Sequence, residues 1–353
     1  MQTIKQTGLR LDLDIVKPED SIFGVVGSRI VDDIDMNGNW LPYLSKGEHQ
    51  HTGKYEPFSC VSHSVVKAIQ AIFNYKKAMG LLPDSFLIWC ETKGYFDENG
   101  DFQFADRFIA KLSDTDIYQG NTGQRVNDTV RKFGLVPESL WPTKINMGKY
   151  EYYKKIDREV MELGAEWEEW VDFLYERAFQ EDFSEALTHS PLQVYVHAWP
   201  KPINGVYPRT LDQIQHACVL ADEYPDEKKE AHDTYTEDAR RGIDFEKTLA
   251  SDFLFHVFGY KYQILIKKKS MSEPKNELVK KVEVVGSNGR GFYIEAMTAD
   301  IYKQLSQMYG VKAKLKKDGS VDWDNEDMDG EVKLYAQPKQ YEAIKKWQWP
   351  WSK

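Results

Sequence analysis

The chain has 353 residues, 41% hydrophobic and 13% aromatic, which is enough apolar side chain for two or three packed units and excludes a largely disordered protein. Its 46 basic and 56 acidic side chains give a formal net charge of −10, which argues against nucleic-acid binding. No apolar run reaches the roughly 18–20 residues of a membrane-spanning helix, and Met1 to Val16 lacks the apolar core and cleavage site of a signal peptide. The three cysteines, Cys60, Cys90 and Cys218, then read as free thiols in a reducing compartment, with the cytoplasm the expected setting.

In chain order, residues 1–50 read as short strands and turns leading into the core, with Asn37-Gly38 as a hairpin signal. Ser62 to Met79 has Val65, Ile69, Ile72 and Phe73 at helical spacing and Gly80 as a stop. Gln124 to Phe133 predicts a second helix, capped by Gly134, and Pro137 and Pro142 bracket a turn. Tyr150 to Phe183, rich in Glu, Lys, Trp and Tyr, predicts helix throughout. Strands follow at Leu192 to Trp199, His216 to Tyr224 and Phe253 to Ile266, the last broken at Gly259. The basic run Lys267 to Lys269 is a solvated strand end. Helices first and strands later make an α+β plan, with a helical half and a sheet half over residues 51–280. Residues 281–353 form a separate small α+β unit, with strands at Val282 to Val285, Phe292 to Glu295, Lys312 to Leu315 and Val332 to Tyr335 and a helix at Ala299 to Tyr309.

Cys60 stands just before the first apolar-periodic helix, in Pro57-Phe58-Ser59-Cys60-Val61-Ser62. The positive end of a helix macrodipole favours a thiolate, the nucleophile that acyl transfer needs. A base must meet it in space rather than in sequence. His216 opens a strand 156 residues later, and Asp233 follows after 17 more, the length of a strand, a turn and a returning strand. A carboxylate on the far nitrogen of His216 would fix its tautomer and stabilise the imidazolium. His63 lies one helical turn behind Cys60 and is poorly placed as the base.

These residues, with three other segments in order, resemble the papain-like cysteine peptidases. Ser59-Cys60-Val61-Ser62-His63-Ser64 is similar to the family's Ser-Cys-Trp-Ala-Phe-Ser helix start. Gly134-Leu135-Val136-Pro137-Glu138-Ser139-Leu140-Trp141-Pro142 is similar to its Gly-Leu-Val-x-Glu-x-x-Tyr-Pro stretch. Ser190-Pro191-Leu192-Gln193-Val194 is similar to its Gly-Pro-Val strand, and His216-Ala217-Cys218-Val219 to its Asn-His-Ala-Val strand. Asp233-Thr234-Tyr235 stands where the family has Asn-Ser-Trp. The resemblance covers residues 45–270 and implies a thiol hydrolase of peptide or isopeptide bonds, with a polypeptide substrate, no cofactor and no metal. It implies Cys60 as nucleophile, His216 as base and Asp233 as the residue orienting it. The chain departs from the pattern at the oxyanion glutamine, whose position six residues before the cysteine holds Lys54; Gln50 is the nearest substitute. Divergent members of this kind look like those of bacteriophage genomes. There a non-catalytic, virion-associated relative would keep the fold and attach through residues 281–353 and the Trp347-Gln-Trp349-Pro-Trp351 tail. Asp33-x-Asp35-x-Asn37-Gly38 opens like a calcium loop but has Leu44 where the bidentate glutamate belongs, as Asn325-x-Asp327-x-Asp329-Gly330 has Ala336.

Overall fold

In the structure, a computed structural model, the described residues are 8–14, 22–23, 30, 33–45, 50, 54–55, 57–144, 146–197, 199–211, 214–233 and 246–267, with strands at 282–286, 291–294 and 332–336. The chain divides into two units, residues 1–268 and 269–353.

The first unit is built around helix α1 (Cys60–Ala78), which packs against other helices on one side and the sheet on the other. Its apolar stripe of Val61, Val65, Ile69, Ile72 and Phe73 is fully buried, and so are Lys67 and Gln70. A helix enclosed on nearly every side must satisfy its polar residues internally. Lys67 Nζ donates to the Ser45 carbonyl at 3.1 Å, and Asn74 Nδ2 to the Tyr43 carbonyl at 3.0 Å. Around it lie α2 (Asp84–Lys93), α3 (Asp106–Leu112), α4 (Gly123–Phe133), the single turn α5 (Lys149–Tyr152) and α6 (Arg158–Trp170). Thr122 caps α4 by accepting the Arg125 amide at 3.1 Å. Phe73, Phe86, Phe102, Phe104 and Trp167 fill the space between the helices with stacked and edge-on rings.

The strands come next: β1 (Val171–Phe179), then the short α7 (Phe183–Leu187), β2 (Leu192–Val196), β3 (His216–Glu223), β4 (Lys229–His232), β5 (Glu246–Leu249) and β6 (Phe258–Ile266). They form one antiparallel sheet in the order β1-β6-β2-β3-β4-β5. The fold class is α+β, a helical half and an antiparallel sheet half, as the order of elements predicts.

Three local expectations need correction. The helix foreseen over Tyr150 to Phe183 stops at Trp170, and β1 takes over. The charges that read as a helix surface are paired across the sheet instead: buried Glu176 accepts from Lys261 Nζ of β6 at 3.0 Å, and the two are register partners. Gly259 does not break its strand. It lies inside β6, opposite Ala178, where a β-carbon would stand 2.5 Å from the Gln193 carbonyl oxygen of β2. Asn37-Gly38 makes a turn between irregular segments rather than a hairpin. The Asn37 side chain accepts the Asn39 amide at 3.2 Å, and Gly38 takes φ +84°.

In the second unit, β7 (Val282–Gly286) lies between β8 (Gly291–Ile294), which is antiparallel to it, and β9 (Val332–Ala336), which is parallel. The expected helix at Ala299 to Tyr309, the strand at Lys312 to Leu315 and the tryptophan-rich tail lie outside the described residues.

Candidate active site

Cys60 is the first residue of α1, and helix packing buries it to 1% exposure. The first turn is held from two sides. Ser59 Oγ shares a hydrogen bond of 3.0 Å with Tyr152 OH of α5. On the sheet side, Gln193 Nε2 of β2 donates to the Val61 carbonyl at 3.2 Å and to Ser64 Oγ at 2.9 Å. The helix start is thereby fixed to both halves of the fold.

His216 is the first residue of β3, paired with Val196 of β2. Asp233 follows the last residue of β4, and the β3–β4 pairing, which sets Val219 against His232, returns the chain to it. Asp233 is fully buried, and its Oδ1 accepts from His216 Nε2 at 2.7 Å. His216 also interacts with the Cys60 side chain, through hydrogen bonding and charge. The structure therefore brings Cys60, His216 and Asp233 together as one chain of contacts.

The electrostatics follow from that chain. Burial, the largest single influence, pushes the His216 imidazole down. The Asp233 carboxylate, through charge and hydrogen bond, and then Cys60 together outweigh it and hold the imidazole up at about 10. At the neighbouring His232 the favourable Asp233 charge is outweighed. Burial and then Lys67 push it down to about 3, so it stays neutral beside Asp233. Burial pushes the Cys90 and Cys218 thiols up, and for Cys218 the Asp233 charge adds to the effect.

No family model matches the chain, and no curated protein matches it. Among solved structures it is similar to xylellain, a cysteine protease from Xylella fastidiosa, at 14% identity and TM-score 0.48, over 76% of this chain and 98% of that one. It is similar also to the bromelain protease from Ananas comosus in complex with the E64 inhibitor, at 10% identity and TM-score 0.39, over 64% of this chain and 97% of that one. Digestive procathepsin L 3 of Tenebrio molitor larval midgut is similar at 8% identity and TM-score 0.36, over 67% of this chain and 71% of that one.

Gln50 is buried, and its Nε2 donates to the Pro57 carbonyl at 2.6 Å, which uses one of its two N–H bonds. His63 Nδ1 forms a buried pair with Asp106 of α3. Asp33, first residue of the calcium-like sequence, is taken by Lys76 and by Gln263 Nε2 at 3.3 Å. Among the described residues no group of three or more His, Cys, Asp or Glu side chains could hold a metal ion, and no helix is long and apolar enough to cross a membrane.

Sequence reasoning missed two parts of the site. Trp199, taken only as a strand end, donates its indole N–H to Asp233 Oδ2 at 2.6 Å and sets its ring edge-on to His216. The second part is the N-terminal stretch. Gly8 lies so close to Cys60 that a β-carbon on it would stand 2.7 Å from the sulfur. The only signals were the glycine itself and Trp199-Pro200 just beyond β2, and neither has a spacing that points to the cysteine.

Proposed function

We propose that the chain is a thiol-dependent hydrolase of peptide bonds, of the papain-like type, acting on a polypeptide substrate. The observation that carries this reading is His216 bonded to the buried Asp233 and interacting with Cys60. In this mechanism the Cys60 proton already resides on His216 before the attack, and Cys60 Sγ adds to the carbonyl carbon as the thiolate. The resulting imidazolium is stabilised by Asp233, which Trp199 holds in place. The tetrahedral intermediate collapses as His216 returns the proton to the leaving amine, leaving a thioester on Cys60. Water, deprotonated by His216, hydrolyses the thioester and restores the thiol. The developing oxyanion has two candidate donors. One is the Cys60 backbone N–H, which belongs to the first turn of α1 where amides lack intrahelical acceptors. The other is the second N–H of Gln50.

The test is hydrolysis of an unfolded polypeptide mixture, read as new N-termini by mass spectrometry. Cys60→Ala and His216→Ala are expected to remove the cleavage, and Gln50→Ala to slow it by about 10²-fold or more. Cleavage that survives unchanged in Cys60→Ala would exclude this mechanism.

A further inference from the structure

One buried cation stands beside the site without a part in the hydrolytic steps. Lys247 of β5 lies opposite Ala231 of β4, and Asp233 comes two residues after Ala231. Side chains alternate along a strand, so Lys247 and Asp233 share one face of the sheet as diagonal neighbours, a relation that spans about 7–8 Å. His216 and Cys218 of β3 share that face too, because Leu220 is the register partner of Ala231. Lys247 is 5% exposed, and its Nζ stands 5.3 Å from the Trp199 ring centre and 5.4 Å from that of Tyr207.

Both rings have supports of their own. The Tyr207 amide donates to the Thr248 carbonyl at 2.9 Å, and its carbonyl accepts the Ala250 amide at 3.0 Å. Trp199 meets Tyr207 edge-on at 5.4 Å and Phe253 at 6.2 Å. An apolar side chain of similar length would fill the space beside them, so packing alone does not call for the charge. The charge does reach the site. Burial and then Asp233 push the Cys218 thiol up, and Lys247 opposes them. Burial and then Lys67 push His232 down, and Lys247 adds to this against Asp233. The titratable and charged groups around Asp233 are therefore Cys60 and Lys67 of α1, His216 and Cys218 of β3, His232 of β4 and Lys247 of β5, with Glu246 of β5 opposite His232.

We propose that Lys247 is a positioning residue for the His216 proton: seated on the Trp199 face, its ammonium sets how strongly Asp233 holds the imidazolium. It acts by two routes of the same sign. A cation on the face of an indole draws electron density from the ring and makes the indole N–H a stronger donor. That N–H is bonded to Asp233 Oδ2 at 2.6 Å. The ammonium also offsets part of the carboxylate charge directly, through an interior that screens weakly. Both routes weaken the pull of Asp233 on the proton of His216. Without Lys247 the imidazole keeps its proton to higher pH and gives it up less readily to a leaving amine. This consequence for turnover rests on the hydrolase reading above; the coupling of Lys247 to His216 does not.

The experiment follows the His216 titration by NMR in the full chain, as wild type, Lys247→Met and Lys247→Arg. Methionine keeps an apolar stem and removes the charge, whereas arginine keeps a cation on the ring. Lys247→Met is expected to move the His216 midpoint up by about half a pH unit or more, and Lys247→Arg to restore it to the wild-type value. A lysine that only fills space leaves the midpoint where it is in both variants. A midpoint unmoved or lowered in Lys247→Met therefore overturns the proposal. If Lys247→Met fails to fold, Lys247→Gln is read by the same criterion. The titration needs no turnover, which keeps the two readings apart. An upward shift in a chain whose wild type cleaves no polypeptide upholds Lys247 and counts only against the hydrolase. Cleavage that is lost in Cys60→Ala, together with an unmoved His216 midpoint in Lys247→Met, counts only against Lys247.

Discussion

His216 is held between opposed influences, burial driving it toward neutrality and Asp233 with Cys60 driving it toward the cation. The cation wins, with the imidazole held up at about 10. The sign of the consequence for stability follows: a group raised above its ordinary value contributes stability that is whole below about pH 6.5 and is lost as pH rises through about 10. Wild type is therefore expected to lose more stability between pH 7 and pH 10.5 than His216→Gln does, measured as urea midpoints; parallel losses would contradict this assignment. Asp233→Asn removes the charge and keeps the shape. The His216 titration, followed by NMR, is expected to move down by roughly a unit or more, since an opposite charge at hydrogen-bond distance is worth that much. Trp199→Phe removes one donor from a buried carboxylate and is expected to cost about 1–3 kcal/mol in denaturant unfolding. Of these residues, Cys60, His216 and Asp233 could be picked from the sequence because the proposed roles of nucleophile, base and orienting acid each demand a residue type and an order. Trp199 could not, since a tryptophan at a strand end reads equally well as packing.

Elements carry the site by fixing where a few side chains begin. Cys60 is placed by the start of α1, and His216 and Asp233 by the two ends of the β3–β4 hairpin. The start of α1 was readable to within two residues, because its apolar period is long and unbroken. The fate of Val171–Phe179 was not. Its charges suit a helix surface in isolation, and only pairing with the full length of β6, which neutralises Glu176 against Lys261, makes it a strand. That pair also gives a prediction. Breaking it with Lys261→Met or Glu176→Leu alone is expected to cost about 3–5 kcal/mol, whereas the double replacement costs far less, because a lone buried charge is worse than none. A double-mutant cycle in urea measures the difference, and simple additivity would show the pair to be uncoupled. Gly259 was misread as a break for a related reason. The sequence does not show that the backbone of β2 passes directly over it.

At the scale of the whole molecule, the chain separates into residues 1–268 and 269–353, each with its own sheet. Every group named in the candidate active site belongs to the first unit, as do all six strands of its sheet. Its last strand is closed off from within: the Lys267 amide donates to the Trp170 carbonyl at 2.8 Å, and Lys267 Nζ reaches the Glu168 carbonyl at 2.7 Å and Asp172 at 3.0 Å. Those three contacts tie the end of β6 to the α6–β1 junction within the first unit. A chain ending at Lys268 is therefore expected to fold on its own, to melt in a single cooperative transition, and to show the same Cys60 alkylation rate as the full chain. Calorimetry and peptide mapping check the two halves of that expectation. A broad transition, or Cys60 labelling several-fold faster than in the full chain, would mean that residues 269–353 help to hold the first unit or its nucleophile in place.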